Sequence, residues 1–417
     1  MKTKRGFVKR VSMMTAGLAA ALMILTGGAG GIPGALAASG TPVYQSGDLF
    51  SDRDMEQTAD TDEAVALAVS DGEDIRITEA GVYVLSGTAA DVTVTVAAPD
   101  DAKVQLVLQN LQLTNSDFPC IYVQSADKVF VTTAADSSLQ VTGTFRADGD
   151  VHTDGAVFSR SDLVLNGTAA LTVTSTDNGV VCKDDMKITG GTYTVTAGSK
   201  ALEANDSIRI MGGTLTLKAG TDGLHAENDE DDSKGYIYIG GGTITVTAGD
   251  DGIHATSVVQ IDDGEIRITA AEGIEGSFVQ INGGNIEISA SDDGINAARK
   301  SSGTETAAEF NGGTVNITMG RGDTDGIDAN GNLYINGGVI SVNGTSSFDC
   351  DGTVSFTGGT VYINGQQTAS IPNQMMGGGM GGGRGGRGNP MGTGGWGGPD
   401  GQNAGGGRGG RGGRGGW

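Results

Sequence analysis

The sequence contains few of the residues that build disulfide-linked, helical or nucleic-acid-binding proteins. Three cysteines, an odd and widely separated set, argue against a disulfide framework. Proline is limited to 7 residues and aromatic residues to 5% of the chain, and no long helical periodicity is present. Basic residues number 26 against 50 acidic residues, which gives a net charge of −24. That charge argues against nucleic acid and anionic membrane surfaces as partners and favours cations.

Long apolar runs are also absent, with one exception near the start of the chain. Residues 1–10 are basic and contain no acid, residues 11–25 are mostly apolar, and Ala35 and Ala37 suit a signal peptidase. The pattern predicts a signal peptide over residues 1–37 and a secreted protein, either free outside the cell or associated with its surface. No second run is long enough to cross a bilayer, so we expect no membrane span in the mature protein.

What the sequence does contain is glycine, with 74 residues, and short runs of Val, Ile and Thr. From Asp162 to Gly365 one unit recurs roughly every 20 to 29 residues, as it does in repeat proteins. The unit is an apolar strand, a Gly-Gly or Asx-Gly turn, a Thr-rich strand and a turn centred on Asp-Gly. We predict an all-β fold, a right-handed parallel β-helix over residues 75–370, with a linker or cap at 38–74 and a disordered Gly- and Arg-rich tail at 371–417.

Two columns of mostly polar residues recur at equivalent places in successive coils. The first column reads Asn178, Lys200, Asp222, Asp251, Glu272, Asp293, Asp325 and Ser346. The second column, three residues later, reads Val181, Glu203, His225, His254, Glu275, Asn296, Asp328 and Asp349. Alternation along a strand predicts that both columns face solvent, while apolar columns such as that of Ile253 and Ala255 face the core.

Stacked carboxylates imply a bound cation. Coils about 4.8 Å apart would bring like charges close enough to repel, and Ca²⁺ can bridge carboxylates from successive coils. We therefore predict calcium as the cofactor, with ligands drawn from Asp222, Asp251, Glu272, Asp293, Asp325, Asp250, Asp292, Glu203, Glu275 and Asp328. The simpler alternative is that Asp-Gly is a favoured turn pair. His225 and His254 could bind zinc or copper, although a stacked surface pair explains them as well.

Polysaccharide binding calls for aromatic side chains or rows of polar groups on an outer face. Arg209, Tyr238 and Tyr334 share the outward column before the Gly-Gly turns. Thr214 and Thr243 begin hydroxyl rows on the next strand. We predict these five residues as carbohydrate contacts, although rows of Thr are also ordinary β-sheet surface.

Several segments resemble one known family. They are residues 77–88, 104–110 and 120–129, together with Asp154-Gly155-Ala156-Val157 and the serial Gly-Gly-Thr and Asp-Gly-Ile units. In their order and spacing they resemble bacterial extracellular carbohydrate-binding domain-containing proteins, built as polysaccharide-lyase-like, calcium-binding parallel β-helices. The resemblance spans about residues 75–365. It implies a non-catalytic module that binds calcium and a polysaccharide such as cellulose or a uronate polymer.

Two other functions are open at this stage. A calcium-dependent lyase would need a base beside the metal, and Lys200 stands in the first column one coil before Asp222. A salt bridge within an acidic column explains that lysine equally well. A structural or adhesive surface protein would need no site at all. No nucleophile elbow, phosphate loop or dinucleotide fingerprint is present.

Overall fold

The structure, a computed structural model, describes residues 40–321 and 324–372. The predicted signal peptide and most of the predicted tail lie outside these residues. Within them the chain consists of one short helix, α1 (Ser46–Leu49), and 34 strands, β1 to β34, that pair almost entirely in parallel. The predicted parallel β-helix is confirmed. No helix among the described residues is long and apolar enough to cross a membrane.

The coils have three faces, which we name the strap, threonine and acidic faces. The strap face contains β1 (Val65–Ala68), β7 (Lys128–Thr133), β10 (Asp162–Gly167), β13 (Asp185–Ile188), β16 (Ser207–Ile210), β19 (Tyr236–Ile239), β26 (Ala307–Phe310), β29 (Asn332–Ile335) and β32 (Val354–Phe356). The threonine face contains β8 (Ser137–Val141), β11 (Ala170–Ser175), β14 (Thr192–Ala197), β17 (Thr214–Lys218), β20 (Thr243–Thr247), β22 (Glu265–Ala270), β24 (Asn285–Ala290), β27 (Thr314–Met319), β30 (Val339–Asn343), β33 (Thr360–Ile363) and the antiparallel β34 (Gln366–Thr368).

The acidic face completes each coil. It contains β2 (Ile75–Ile77), β4 (Val94–Ala97), β6 (Ile121–Ser125), β9 (Gly155–Ser159), β12 (Asn178–Cys182), β15 (Leu202–Ala204), β18 (Leu224–Ala226), β25 (Ile295–Ala297), β28 (Asp325–Ala329) and β31 (Ser346–Cys350). Four longer strands continue around a corner onto the next face: β3 (Gly81–Ala90), β5 (Lys103–Asn115), β21 (Asp251–Ile261) and β23 (Glu272–Ile281). The Asp-Gly segment expected as a turn leads into a third strand: the pair begins β21 and β28 and directly precedes β18 and β25. Coil pairing also begins at Val65, before the predicted boundary at residue 75.

The core is a stack of identical positions from successive coils. Leu224 pairs in register with Ile253, and Ile253 with Ile274, and all three side chains are fully buried. Cys182 and Cys350 lie in the same interior. The predicted apolar columns are confirmed as the core.

Glycine at the corner of several acidic-face strands explains the repeated Asp-Gly pair. A Cβ added at Gly223 would lie 2.3 Å from Cγ1 of Val246, and one added at Gly252 would lie 2.3 Å from Cγ2 of Ile268. Both contacts are closer than real Cβ atoms make, so these positions require glycine. Because the glycine faces inward at the corner, the residue before it and the residue two after it lie on the same outer side.

A segment preceding the coils lies across the strap face, and we call residues 40–57 the strap. The amides of Val43 and Tyr44 donate to the side-chain oxygens of Gln280 and Gln260, at 3.1 and 2.7 Å. Nε2 of Gln260 donates back to the carbonyl of Tyr44. The first part of the region predicted as a linker or cap is thus bound along the side of the β-helix, because its backbone amides and carbonyls form hydrogen bonds with side chains there.

Candidate functional site: the acidic and threonine faces

The first polar column of the acidic face lies outside the core but is not fully exposed. Asp222 and Asp251 are each only 6% exposed, and Glu275 in the second column is equally enclosed. The expectation that both columns face solvent was therefore wrong for these residues. They lie outside the apolar core of the β-helix, yet neighbouring coils and the flanking polar side chains cover them.

First-column oxygens also hold successive coils together. Oδ1 of Asn178 accepts a hydrogen bond from the backbone amide of Lys200 at 3.0 Å, and Oδ1 of Asp222 accepts one from the amide of Asp251 at 3.2 Å. Oδ1 of Asp293 accepts one from the amide of Asp325 at 3.0 Å. Each acceptor satisfies an amide at the corner of the next coil. These residues therefore stabilise the stack, whatever else they bind.

The end of the columns nearest the N-terminus is neutralised by lysine. Glu203 lies 2.8 Å from Nζ of Lys183 and 3.6 Å from Nζ of Lys200. Burial opposes ionisation of Glu203, but the two lysines outweigh it and lower the pKa. Glu203 is thus an ion-pair partner, and Lys200 occupies the salt-bridge position that the sequence left open as an alternative to a catalytic base.

The middle of the columns contains two imidazole side chains. His225 and His254 stack with ring centroids 4.7 Å apart. Nδ1 of His254 lies 2.6 Å from Asp251 and 2.9 Å from Glu275. The pKa of His254 is raised to about 9 because these hydrogen-bonded carboxylates outweigh its burial. The predicted ligands Asp222, Asp251 and Glu275 therefore lie in a mixed imidazole and carboxylate environment.

Beyond the histidines the columns contain carboxylate and amide side chains. Burial and the neighbouring carboxylates of Glu275, Asp251 and Asp293 raise the pKa of Glu272 to about 7. Burial and its own neighbours raise the pKa of Asp328 to about 6. Protons or another cation must offset this repulsion. Four predicted ligands thus follow one another over successive coils: Asp293 lies near both Glu272 and Asp328, and Asp325 lies near Asp328.

Asn296 supplies an acceptor that was not among the predicted ligands. Its Nδ2 donates to Glu272 at 3.0 Å and to Glu275 at 3.4 Å, whereas its Oδ1 is buried and has no hydrogen-bond partner. Asn296 pairs in register with Asp328 of the next coil. A buried carbonyl oxygen without a donor is costly unless a cation or water satisfies it. The aligned second column contained this residue, but only its orientation reveals the unused oxygen.

Two predicted ligands lie away from the enclosed part of the column. Asp250 and Asp292 are exposed at the corner that leads into the acidic face. Their backbone amides donate hydrogen bonds to the carbonyl oxygens of Thr221 and Ala271 in the preceding coil. They add negative charge to the rim.

The predicted aromatic sugar contacts are covered. Tyr238 is buried against Phe50 of the strap, and its hydroxyl donates to Asp262 at 2.9 Å. Arg209 donates to Asp185 at 2.6 Å and to the carbonyl of Leu49. Tyr334 is also buried, with its hydroxyl on Glu305. These three residues point outward from the coils as predicted, but the prediction that they form an open surface was wrong, because the strap and neighbouring side chains enclose them.

The predicted hydroxyl rows are exposed, apart from the half-buried Thr245. Thr192, Thr214 and Thr243 are in register on three consecutive coils, and all three are exposed. The next outward row consists of Thr194, Thr216 and Thr245. Rows on parallel strands repeat at about 4.8 Å, so a flat lattice of hydroxyl groups covers this part of the threonine face. Thr214 and Thr243 thus lie where a linear ligand could reach several coils at once.

These features define a β-solenoid protein whose outer faces present polar side chains in register over many coils. A model of the carbohydrate-binding domain-containing protein family matches residues 71–320 and 272–369. The chain belongs to that family.

One curated relative and one solved structure are similar to the chain. The relative is a carbohydrate-binding domain-containing protein of Acetivibrio thermocellus, 34% identical over 138 residues, which are 32% of this chain and 48% of the relative. The chain thus spans about half the length of this relative. The structure is that of a polysaccharide lyase-like protein from C. thermocellum, a gadolinium derivative, with 30% identity and a TM-score of 0.48. It covers 54% of this chain and 96% of the other.

Proposed function

We propose that this protein is a secreted, non-catalytic module that binds a linear polysaccharide along the threonine face and calcium along the acidic face. Membership of a carbohydrate-binding family supports the ligand class. The observation that carries the choice of face is the exposed, in-register lattice of Thr192, Thr214, Thr243 and the row beside them. Hydroxyl groups at the coil repeat can donate to and accept from successive sugar hydroxyls of an extended glycan.

Calcium fits the oxygen-rich end of the columns. Glu272, Asp293, Asp325 and Asp328 are carboxylates, and Asn296 adds a buried amide oxygen without a partner. Ca²⁺ takes six to eight oxygen ligands in adaptable geometry, so carboxylates from adjacent coils, carbonyls and water can share one ion. A dication there would offset the repulsion that raises the pKa values of Glu272 and Asp328.

Calcium would also govern the choice between polymer classes. The carboxylates of a uronate polymer would be repelled by the net charge of −24 unless a cation bridged them. Cellulose carries no charge and would bind without calcium. Both polymers are candidates, and dependence on calcium distinguishes them.

Lys200 is better explained as a structural residue than as the base of a lyase. Its ammonium group lies 3.6 Å from Glu203, and its backbone amide is bonded to Asn178. These two contacts explain the position of Lys200 without a catalytic role. The proposed module therefore binds its polysaccharide without cleaving it.

The test is retention of the protein on insoluble cellulose and on polygalacturonate, with calcium and with a chelator. The supernatant is followed by ultraviolet absorbance for unsaturated uronide. We expect retention on at least one polymer and no product. Product that disappears in Lys200→Ala would instead establish a lyase. Absence of retention on both polymers in either condition would leave a structural solenoid.

A further inference from the structure

The two stacked histidines are enclosed rather than displayed. His225 and His254 are one coil apart in register, and their rings are inclined by 16°. Their side chains are only 8% and 13% exposed. The surface pair that the sequence allowed is thus a buried cluster, and its chemistry is separate from that of the oxygen-rich end.

Carboxylate oxygens converge on the same nitrogen of each ring. Nδ1 of His254 lies 2.6 Å from Oδ2 of Asp251 and 2.9 Å from Oε2 of Glu275. Nδ1 of His225 lies 2.9 Å from Oδ2 of Asp222, yet it is buried and makes no hydrogen bond. Nitrogen and carboxylate oxygen atoms therefore already lie side by side at both rings.

The charge around the rings is strongly negative. Asp222, Asp251 and Glu275 adjoin Nδ1 atoms, and Glu227 lies 3.1 Å from Nε2 of His225. Among the described residues, Lys300 is the lysine that forms an ion pair with these carboxylates: its Nζ lies 2.9 Å from Oε1 of Glu275. That contact leaves Oε2 of Glu275 directed at His254. An added dication would therefore be stabilised by the field of the cluster.

We propose that Asp251, His254 and Glu275 bind a zinc ion through one nitrogen and two oxygen atoms, with water as the fourth ligand. The three ligand atoms lie within 4.8 Å of one another. A tetrahedral zinc site with bonds of about 2.0–2.2 Å separates its ligands by roughly 3.3 Å, so small side-chain shifts suffice. His225 stacks on the ring of His254 and positions it, as a neighbour of a metal ligand does.

The donor set separates this site from calcium binding. Imidazole suits zinc and copper, whereas calcium takes oxygen ligands alone. The acidic face would then hold two classes of metal: zinc at the histidines and calcium from Glu272 onward. The zinc site goes beyond the proposed polysaccharide function and does not depend on it.

The experiment is isothermal titration of the full chain with zinc in a large excess of calcium. The matched variants are His254→Ala, His225→Ala and His152→Ala, because His152 is the third histidine of the chain and lies exposed on another coil. We expect one equivalent of zinc, a loss of affinity of at least tenfold in His254→Ala, a smaller loss in His225→Ala and none in His152→Ala.

A spectroscopic measurement on the unaltered protein tests the site even if the His254→Ala variant does not fold. Cobalt replaces zinc in the unaltered protein, and a four-coordinate site with a nitrogen ligand gives intense visible bands that zinc then abolishes. Zinc binding that survives in a folded His254→Ala variant would overturn the proposal. Displacement of zinc by calcium would also overturn the proposal, and so would a cobalt spectrum of the six-coordinate aquo ion. Either result would mean that His254 is protonated and acts as the counter-ion of Asp251 and Glu275.

Discussion

Asp54 on the strap and Lys187 on the strap face form an ion pair of 2.9 Å in which the two side chains are only 1% and 9% exposed. The residues are far apart in sequence, so the pair connects the N-terminal segment to the middle of the β-helix. Nζ of Lys128, on β7 two strands before β13 in the stack, is 3.4 Å from the other oxygen of the same carboxylate. One aspartate thus compensates two lysines beneath the strap.

Asp54→Ala should destabilise the protein strongly. Removing Asp54 leaves the buried Lys187 without its ion-pair partner and leaves Lys128 with Asp162 alone, and breaking a buried pair costs about 3–5 kcal/mol. Urea unfolding followed by circular dichroism measures the loss, and limited proteolysis reports whether the strap has been released. The neighbouring exposed residue supplies the control Asp52→Ala, which should change neither. Equal stability of Asp54→Ala and Asp52→Ala would show that the strap is not bound through this pair.

The stabilisation from Asp54 should disappear in acid. Burial opposes ionisation of this carboxyl, but the hydrogen bonds and charges of Lys187, Ser51 and Lys128 lower its pKa from 3.8 to about 2. Because the folded pKa is depressed, the contribution is complete above pH 3.8 and is lost as the pH falls through about 2. The difference in unfolding free energy between the unaltered protein and Asp54→Ala should therefore shrink across this window. A difference that stays constant there would contradict the assignment.

The strap also marks the limit of what the sequence could predict. The repeating columns predicted the stack of Leu224, Ile253 and Ile274, because a solenoid places equal positions in register. No periodicity connects Asp54 to Lys187 or Tyr44 to Gln260, since residues 40–57 belong to no repeat. Tyr238 was for that reason predicted as open surface, and only the structure shows the segment that covers it.

The candidate metal ligands were predictable as a set but not as separate sites. The sequence aligns Asp222, Asp251 and Asp293 in one column. It does not reveal that lysines neutralise Glu203, that Nδ1 of His254 contacts both Asp251 and Glu275, or that Oδ1 of Asn296 lacks a partner. Those facts depend on rotamers and on side chains from neighbouring coils, which a column of letters does not specify.

Gly252→Ala should destabilise the β-helix although alanine is ordinarily compatible with a strand. Its Cβ would lie 2.3 Å from Cγ2 of Ile268 and 2.6 Å from the carbonyl oxygen of Gly273, so the corner must shift. Overpacking of this kind costs about 1–3 kcal/mol. Thermal unfolding compares it with Gly47→Ala, where no atom lies within 4 Å of the new Cβ. Equal melting temperatures for the two variants would refute the requirement for glycine at the corner.

Calcium should stabilise the protein through the oxygen-rich end of the acidic face. A ligand at one hundred times its dissociation constant adds about 2.7 kcal/mol if it binds only the folded state. Asp325→Asn removes a carboxylate from this end and should reduce the calcium-dependent rise in melting temperature. Asp263→Asn removes an exposed aspartate at a distant turn and should leave the rise intact. If both variants respond to calcium like the unaltered protein, the ion binds elsewhere.

Replacement of both Thr216 and Thr245 by valine should weaken polysaccharide retention on the threonine face. Valine keeps the branched shape that suits a strand and removes only the hydroxyl groups. Each lost hydrogen bond is worth about 0.5–1.5 kcal/mol, so the pair should lower affinity roughly tenfold while unfolding stays unchanged. Tyr238→Phe is the matched test of the strap face, where the lost hydroxyl is bonded to Asp262 beneath the strap. If affinity falls in Tyr238→Phe and is unchanged in the valine variant, the glycan binds the strap face and not the threonine face. The strap would then have to move aside before the sugar binds.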